Sequence, residues 1–522
     1  MENGNENVVR LAPPKKKGLL PLVFSRFFIV VLLLALQVVV YFLFMKQLRE
    51  YLPHYAVFQT IFIFCATIYL FNNRMDYSAK LTWLALIAVA PLVGTLLLAY
   101  TQNNFGHRAE TKRVNDLINM TKGSILQEKE TLKNLKGDTY ASDDLCKYLN
   151  RSGCFPIYDG TEVRYFPLGE DMLEAMLEEL EKAEKFIFME YFIIEEGYMW
   201  GRILDVLIRK AQAGVDVRVM FDGMCEIMTL PIGYAKMLEE KGIHAKAFSP
   251  VSPIVSTHYN YRDHRKILVI DGKVAFNGGV NLADEYINRI VRFGHWKDTA
   301  IMLRGKAVSS FTLMFLQMWN LVEPKPEFPP ELLKSPGVEA EGYVMPFADS
   351  PLDADKAGES VYMDFLNRAR DYVHVMTPYL ILDGELETAL KYAAQRGVDV
   401  KLILPGIPDK KLAYSLAKSH YAALADAGVK IYEYTPGFVH AKVFVSDDER
   451  AVVGTINLDY RSLYHHFECG TYLYKVPCIS EIEQDFQDTL KKSTFVTPEM
   501  INPGNRGYRI MGALLKIIAP LL

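Results

Sequence analysis

The sequence lacks patterned cysteines and an excess of positive charge, and each shortage excludes a class of protein. Its six cysteines form no CxxC pair and no regular framework, which argues against a zinc site or a disulfide scaffold. A formal net charge of −4 argues against a general nucleic-acid binder, which normally shows a basic domain or stripe. The chain also shows no run of clustered carboxylates of the kind that a Mg²⁺ site usually requires. We therefore expect no metal, no cofactor and no nucleic-acid partner, and reduced thiols.

Long apolar runs, by contrast, are abundant near the amino terminus. Phe27–Met45 is uncharged and apolar, and Tyr55–Phe71 and Leu81–Tyr100 follow it. Runs of this length are candidates for crossing the hydrocarbon core of a bilayer. The lysines at 15–17 resemble the basic start of a signal peptide, but no small-x-small cleavage site follows the first run. We predict a membrane region at 1–104, with apolar spans near 22–45, 55–71 and 80–100.

The charges around these runs leave the membrane topology open. The lysines at 15–17 and the basic residues at 108–113 both favour the inside, whereas three full spans would place them on opposite faces. A re-entrant Leu81–Tyr100, which contains Pro91 and Gly94, would remove the conflict. An amino-terminal tail that lies outside despite its lysines would remove it too.

Beyond about residue 153, the chain repeats one α/β pattern. Short β-rich runs alternate with amphipathic helical stretches, and VDVRVMFDG and VDVKLILPG are nearly the same strand in two places. A stretch with five prolines separates the two copies. The sequence therefore predicts two large similar α/β lobes that follow N-terminal transmembrane helices. The predicted parts are a connector at 105–152, a first lobe at 153–322, a Pro-rich linker at 323–342 and a second lobe at 343–522.

Each predicted lobe carries the same set of polar residues. The segments are HRKILVID and HAKVFVSD, and in each a lysine follows the histidine by two positions, an aspartate by seven and an asparagine by seventeen. The second set lies 176 positions after the first. The two sets are His264, Lys266, Asp271 and Asn281, and His440, Lys442, Asp447 and Asn457.

These residue types suit a phosphate group. A histidine and a lysine two positions apart in a strand lie on one face, so that the imidazole and the ammonium address one ligand. The lysine supplies charge, the asparagine supplies a neutral donor, and the histidine can attack or protonate. A lone histidine in a strand is more often structural, but two matching copies inside a duplication favour catalysis. Asp271 and Asp447 lie on the other face, so we interpret them as supports of the motif or as turn caps rather than proton carriers.

The double pattern H-x-K-x4-D-x6-G with a following Asn resembles the motif of the phospholipase D superfamily. With its N-terminal apolar runs, the chain is similar to bacterial cardiolipin synthases, and the segments GHWKDTAIMLRG, FLQMWN and NLDYRS add to this resemblance. The family usually has RSFxLNxE after the second motif, whereas this chain has RSLYHHFE. Leu463, His465 and His466 thus replace Phe, Leu and Asn, which affects local packing and substrate contacts.

The resemblance implies two phospholipase D-like lobes, each a mixed sheet flanked by helices, with one active site between them. One histidine would attack phosphorus to form a phosphohistidine, and the other would protonate the departing alcohol. By family analogy, His264 is the nucleophile and His440 the acid. Lys266, Lys442, Asn281 and Asn457 would bind the phosphate without a metal.

Each histidine also needs an acceptor that fixes its tautomer. Glu468 follows the second motif in a β-like run, so we expect it behind His440, and we expect Asp298 behind His264. A solvated edge position is the alternative for either carboxylate.

The acceptor alcohol decides the reaction. The hydroxyl of a second phosphatidylglycerol would give cardiolipin and glycerol, whereas water would make the protein a phospholipase D. Motif spacing does not separate the two, but a site at a bilayer meets lipid hydroxyls at high effective concentration. Phosphatidylglycerol, other anionic phospholipids and the bilayer are the expected partners, with the catalytic domain on the cytoplasmic side of the cell membrane. Two other functions are possible. A nuclease is disfavoured by the net charge of −4, and a non-catalytic lipid-binding scaffold is disfavoured because both motifs are intact.

Overall fold

The computed structural model of the protein describes residues 8–13, 39, 52–73, 75–102, 107–136, 143–153, 155–249, 261–353, 355–501 and 515–516. These residues divide between two compact units. The larger unit comprises those within Met1–Lys16, Ala109–Ile254 and His258–Pro503. The smaller unit comprises those within Lys17–Arg108, Val255–Thr257 and Gly504–Leu522.

Three helices form the described core of the smaller unit: α1 (Leu52–Asn72), α2 (Tyr77–Val89) and α3 (Pro91–Gln102). The carboxylate of Asp76 caps α2 by accepting hydrogen bonds from two backbone N–H groups of its first turn. The helices pack through a small apolar cluster that includes Leu70, Trp83 and Leu98.

The structure can be compared with two of the three predicted membrane spans. Phe27–Met45 lies outside the described residues apart from position 39. Tyr55–Phe71 lies within α1, whereas Leu81–Tyr100 is divided at Ala90, where α2 has ended and Pro91 starts α3. Among the helices of the described residues, none combines the length and the apolar character needed to cross a bilayer. The two predicted spans that lie within the described residues are therefore not supported.

The larger unit is built from two mixed sheets with helices around them. Its helices before the first sheet are α4 (His107–Thr121), α5 (Lys129–Lys136) and α6 (Asp143–Gly153). The first half then runs through β1 (Thr161–Phe166), α7 (Gly169–Glu181), β2 (Phe186–Tyr191), α8 (Tyr198–Gln212), β3 (Asp216–Asp222), α9 (Cys225–Met228), α10 (Tyr234–Glu239), β4 (His244–Phe248), β5 (Arg262–Asp263), β6 (Lys266–Ile270), β7 (Val274–Gly278), a 3₁₀ helix (Asp284–Ile287), β8 (His295–Lys297), β9 (Ala300–Gly305) and α11 (Val308–Trp319).

The second half repeats this order after a loop. Its elements are β10 (Tyr343–Asp349), α12 (Ala357–Arg368), β11 (Tyr372–Met376), α13 (Gly384–Gln395), β12 (Asp399–Pro405), α14 (Lys411–Asp426), β13 (Lys430–Tyr434), β14 (Gly437–Val439), β15 (Val443–Ser446), β16 (Arg450–Gly454), α15 (Tyr460–Tyr464), β17 (His466–Tyr474), α16 (Ile479–Leu490), β18 (Ser493–Phe495) and α17 (Pro498–Ile501).

The two sheets have matching strand orders, which confirms the predicted α/β duplication. The first sheet is ordered β1-β9-β7-β6-β2-β3-β4, and the second β10-β17-β16-β15-β11-β12-β13-β18. In each sheet, a βαβ unit supplies parallel strands, which are β2 and β3 in the first lobe and β11 and β12 in the second. The hairpin that carries the motif pairs antiparallel to the first strand of this unit, as β6 with β2 and β15 with β11. The motif strands are buried throughout and apolar apart from Lys266 and Ser446, as expected for strands covered on both faces by helices. The predicted domain boundaries stay predictions.

The two lobes share a hydrophobic core. Helix α11 is buried along nearly its whole length. One apolar cluster joins its Phe315 to residues of both sheets, such as Phe188 and Val344. The rings of Phe188 and Phe315 stack with their centroids 4.8 Å apart. This shared core fixes the orientation of one lobe against the other, and thereby fixes any site between them.

Candidate active site

Two short parallel strand pairs join the lobes next to the motif histidines. Strand β5, which leads into His264, pairs with the start of β17 in the other lobe, and β14, which leads into His440, pairs with β8. The backbone continues both pairings: His264 N donates to Phe467 O at 2.9 Å, and His440 N donates to Lys297 O at 2.7 Å. In each case the residue after the cross-lobe acceptor is a carboxylic acid. The register therefore places Glu468 beside His264 and Asp298 beside His440.

The side chains meet as this register requires. His264 Nδ1 lies 2.9 Å from both carboxylate oxygens of Glu468, and His440 Nδ1 lies 2.6 Å from Asp298 Oδ2. Both carboxylates are fully buried, and both histidines are nearly so. The sequence-based prediction selected these two acids, but it paired them wrongly, because each acid serves the histidine of the opposite lobe. The error arose from assuming that each acceptor lies on a strand of the same sheet as its histidine.

The motif lysines lie against the histidines that precede them. Lys266 Nζ donates to His264 O, and Lys442 Nζ donates to His440 O. Lys442 Nζ also lies 2.9 and 3.1 Å from the two ring nitrogens of His440. Each imidazole and ammonium thus face the same space, as the spacing predicts. His440 and Lys442 also lower the pKa of His264 through their charge, so the two motifs lie within electrostatic reach of one another.

Burial changes the proton affinity of all four basic groups. Desolvation lowers the pKa of Lys266 to about 8 and that of Lys442 to about 7. It also lowers the pKa of His440, to about 4, with the Lys442 charge acting in the same direction and Asp298 opposing both. The pKa of His264 falls well below its usual value because of desolvation, with further lowering by Lys266. Before substrate enters, both imidazoles are therefore neutral near pH 7.

The two carboxylates differ in charge state although they occupy matching positions. Desolvation raises the pKa of Glu468 well above its usual range, and the nearby Lys266 offsets this only in part. Desolvation acts on Asp298 too, but the charge of His440, its hydrogen bond and the charge of Lys442 outweigh it and lower the pKa of Asp298. An ionised carboxylate thus lies behind His440 and a more easily protonated one behind His264.

Asp271 and Asp447 lie at the far end of the motif strands and bind backbone. The Asp271 carboxylate accepts hydrogen bonds from three consecutive N–H groups, at Glu184, Lys185 and Phe186. The Asp447 carboxylate accepts the matching three in the second lobe, at residues 370–372. Both aspartates have positive φ, near +55°, in the turn that closes the motif hairpin. This position fits the predicted support role and keeps them away from proton transfer.

The two motif asparagines are both buried but have different surroundings. Asn281 Oδ1 accepts from Ile193 N at 3.0 Å, and its Nδ2 donates to the Tyr286 hydroxyl at 2.8 Å. The Tyr286 ring in turn meets the His440 ring edge-on, with the centroids 5.3 Å apart. The buried Oδ1 of Asn457 has no hydrogen-bond partner. Asn281 therefore holds a loop and a ring, while retaining one N–H for a ligand.

Sequence reasoning missed several residues that surround the histidines. Aromatic rings contact both imidazoles: Phe192 is edge-on to His264 at 4.9 Å, and Trp296 lies 5.4 Å from His440. The Thr455 hydroxyl donates to Glu468 Oε2. His466 is buried with its ring centroid 5.4 Å from that of His264. Only His466 had a sequence signal, since it is one of the departures from the usual family pattern.

Two groups among the described residues have donor atoms close enough to hold a cation. One is His264, His466 and Glu468, and the other is Glu359, Asp383 and Glu385. In the second group, Asp383 caps α13 and the Tyr464 hydroxyl donates to both Glu359 and Asp383. Glu359 and Asp383 are thus occupied within the fold, and the group lies outside the two motifs.

Comparison with known proteins gives consistent matches. A family model described as cardiolipin synthase, PLD-like domain, matches residues 176–319 and 362–490, slightly more than half of the chain. An uncharacterized protein of Streptococcus mutans is 57% identical over 458 residues, which cover 88% of this chain and 99% of that protein. Cardiolipin synthase 2 of Bacillus anthracis is 34% identical over 475 residues, which cover 89% of this chain and 90% of that one.

A solved structure extends the comparison to the fold. The phosphatidylserine synthase of Haemophilus influenzae matches with a TM-score of 0.55 at 13% sequence identity. The match covers 73% of this chain and 99% of that one. At this identity the similarity concerns the fold alone.

Proposed function

The chain belongs to the family of cardiolipin synthases with a phospholipase D-like domain, and we propose that it transfers a phosphatidyl group from one phosphatidylglycerol to another. The products are cardiolipin and glycerol, which makes the protein a phosphatidyltransferase. The observation that carries this proposal is the paired His–carboxylate contact across the lobes. Such a pair supplies two oriented imidazoles to one phosphodiester, which is what a two-step transfer through a histidine needs.

Entry of the anionic phosphodiester beside His440 favours its charged form, so the imidazole takes up a proton from solvent. In the first step, Nε2 of His264 then attacks the phosphorus of phosphatidylglycerol. A P–N bond forms and the P–O bond to the glycerol headgroup breaks, while protonated His440 gives its proton to the departing oxygen. The product is a phosphatidyl-histidine together with free glycerol. In the second step, neutral His440 takes the proton from the hydroxyl of a second phosphatidylglycerol, whose oxygen attacks phosphorus and breaks the P–N bond. His264 and His440 then regain their starting states.

Charge distribution supports this assignment of roles. His440 has an ionised acid behind it, because the pKa of Asp298 is lowered, and that charge favours an imidazolium. His264 lies against Glu468, whose pKa is raised well above its usual range by desolvation, so the imidazole stays neutral. A neutral imidazole with its Nδ1 proton directed at a carboxylate presents a free lone pair at Nε2. The nucleophile and the acid are thereby distinguished at one pH.

The lysines and asparagines would stabilise the phosphate. Lys266 and Lys442 have lowered pKa values because they are buried, so each gains charge readily when a phosphate anion enters. Their ammonium groups and the remaining N–H groups of Asn281 and Asn457 can then surround the equatorial oxygens as charge develops. This arrangement supplies electrostatic stabilisation from the chain itself.

We also propose that the protein works at a membrane, because its substrates are membrane lipids. Helix α1 exposes Val57, Ile61, Phe64, Ile68 and Phe71, which recur every three or four residues and so form one apolar stripe. An exposed stripe of this size is suited to lipid contact. Cys65, Cys225, Cys469 and Cys478 are free thiols, which fits a catalytic unit on the cytoplasmic side.

Purified protein in vesicles of phosphatidylglycerol tests this function. Thin-layer separation should show cardiolipin and an equal amount of glycerol. Phosphatidic acid as the main product would identify water as the acceptor and the protein as a phospholipase D. No reaction, with folded protein, would favour a lipid-binding scaffold.

A further inference from the structure

His466 is a third imidazole on the nucleophile side of the site, and nothing in the transfer reaction uses it. Its side chain is only 9% exposed, and neither ring nitrogen has a hydrogen-bond partner. A buried polar group without a partner costs free energy, so its presence calls for a ligand. The usual family pattern has Asn at this position, so the imidazole is a feature of this chain.

The carboxylate of Glu468 lies between His466 and His264. Glu468 Oε1 is 2.9 Å from His264 Nδ1 and 3.7 Å from His466 Nδ1. Its other oxygen, Oε2, accepts a hydrogen bond from the Thr455 hydroxyl, which fixes the carboxylate plane. One donor atom from each of His264, His466 and Glu468 lies within 4.8 Å of the others. The donor atoms of the three side chains are therefore close enough to bind one ion together.

Zinc is commonly bound by two imidazoles and one carboxylate, with its fourth coordination position open to water or another ligand. Zinc–ligand distances of about 2.0–2.2 Å in a tetrahedron place donor atoms about 3.3–3.6 Å apart. The two measured separations lie on either side of this range, so that small rotations of the rings suffice. The Thr455 hydroxyl supplies the outer hydrogen bond that orients a ligating carboxylate. We propose that His264, His466 and Glu468 bind a zinc-class divalent ion, and that its binding switches off the nucleophile.

The inhibitory effect follows from the imidazole itself and rests on the proposed function. If the ion binds Nδ1 of His264, the ring proton resides on Nε2, and the lone pair that attacks phosphorus is absent. If the ion binds Nε2, it occupies that lone pair directly. Either mode blocks formation of the P–N bond. Mg²⁺ should have no such effect, since it prefers oxygen ligands and retains its water.

Equilibrium dialysis of the untagged full-length protein in detergent with Zn²⁺ tests the binding. We expect one ion per chain in the wild type and an affinity lowered by about tenfold or more in His466→Asn. His465→Asn is the matched control, because it alters the neighbouring histidine and should bind as the wild type does. His264→Asn, a second variant, should also lose binding. Equal affinity in the wild type and in both site variants, or no bound ion at all, would overturn the inference.

Cardiolipin formation with and without Zn²⁺ tests the inhibition, with each variant normalised to its own rate in EDTA. Zn²⁺ should inhibit the wild type and His465→Asn, EDTA should restore both, and His466→Asn should need about tenfold or more Zn²⁺ for equal inhibition. Binding that depends on His466 in a protein that makes no cardiolipin would leave the metal site standing and refute the proposed function. An active enzyme that neither binds Zn²⁺ nor responds to it would refute the metal site alone.

Discussion

His440 Nδ1 lies 2.6 Å from Asp298 Oδ2, although the two residues belong to different lobes. The matching contact joins His264 of the first lobe to Glu468 of the second. Each histidine therefore depends on the other lobe for its orientation, and neither lobe contains a complete acid–histidine pair in its own motif. This exchange makes the interface between the lobes part of the active site.

Replacing Glu468 by Gln should lower turnover by roughly one to several orders of magnitude, as loss of an imidazole orienter does in hydrolases. The amide can turn its NH2 group toward Nδ1 of His264, which places the ring proton on Nε2, and its oxygen is a weaker acceptor than a carboxylate. Desolvation raises the pKa of the buried Glu468, so removal of its charge costs the fold little, and the isosteric amide should fold normally. Turnover with phosphatidylglycerol vesicles and thermal unfolding measure the two effects.

Glu483→Gln is the matched control for this variant. Glu483 lies 3.0 Å from the Nδ1 of His374, a buried histidine that belongs to neither motif. The Glu483→Gln enzyme should retain most of the wild-type turnover. A Glu468→Gln enzyme as active as this control would show that Glu468 does not orient the nucleophile.

Asp298→Asn should act on the acid rather than the nucleophile, and so should move the pH profile. Desolvation and the charge of Lys442 lower the pKa of His440 and Asp298 raises it, with a net pKa of about 4 in the empty site. Without the charge of Asp298 the pKa of His440 falls further, so less imidazolium exists at a given pH. The limb of the kcat profile that reports protonated His440 should therefore move to lower pH. An unchanged pH profile would show that Asp298 does not set the pKa of His440.

Lys442 should tolerate neither loss nor exchange of its charged group. Its ammonium lies 3.1 Å from Nε2 of His440, where a planar guanidinium does not fit. Lys442→Met and Lys442→Arg should both lose most of the turnover. Lys491→Arg, on an exposed surface pair, is the control and should be unaffected. Turnover of the Arg variant close to the wild type would mean that charge alone is needed.

Asp447→Ala should affect stability more than chemistry. The variant removes the acceptor of three backbone N–H groups and leaves alanine at a φ of +56°. We expect a loss of about 1–3 kcal/mol in the free energy of unfolding, measured in urea. Activity per folded molecule should fall far less than in His440→Ala. Unchanged stability with abolished turnover would instead place Asp447 in the chemistry.

Much of the fold could be predicted because its signals are local. The repeated β-rich runs and the doubled motif indicate two similar α/β lobes, and the strand orders of the two sheets agree. The close approach of each lysine to its histidine also follows from strand periodicity. The break at Ala90 also has a local signal, because Pro91 lies in the middle of the apolar run.

The pairing of the carboxylates could not be predicted, since it depends on contacts between distant segments. Glu468 and Asp298 were both selected, but the partner of each is set by β5 against β17 and by β8 against β14. These pairs are only two or three residues long and join different lobes, so no local periodicity reveals them. His466 was visible as a departure from the family pattern, but its nearness to His264 depends on the same cross-lobe register.

Mapping the covalent intermediate tests the mechanism most directly. The enzyme should be mixed with phosphatidylglycerol labelled with ³²P in its phosphate, quenched within one turnover in base and digested for peptide mapping. We expect a base-stable label on the peptide that contains His264, and none in His264→Ala. Label on His440 would reverse the two roles. Full cardiolipin formation with no labelled histidine in any quench would contradict a transfer through phosphohistidine.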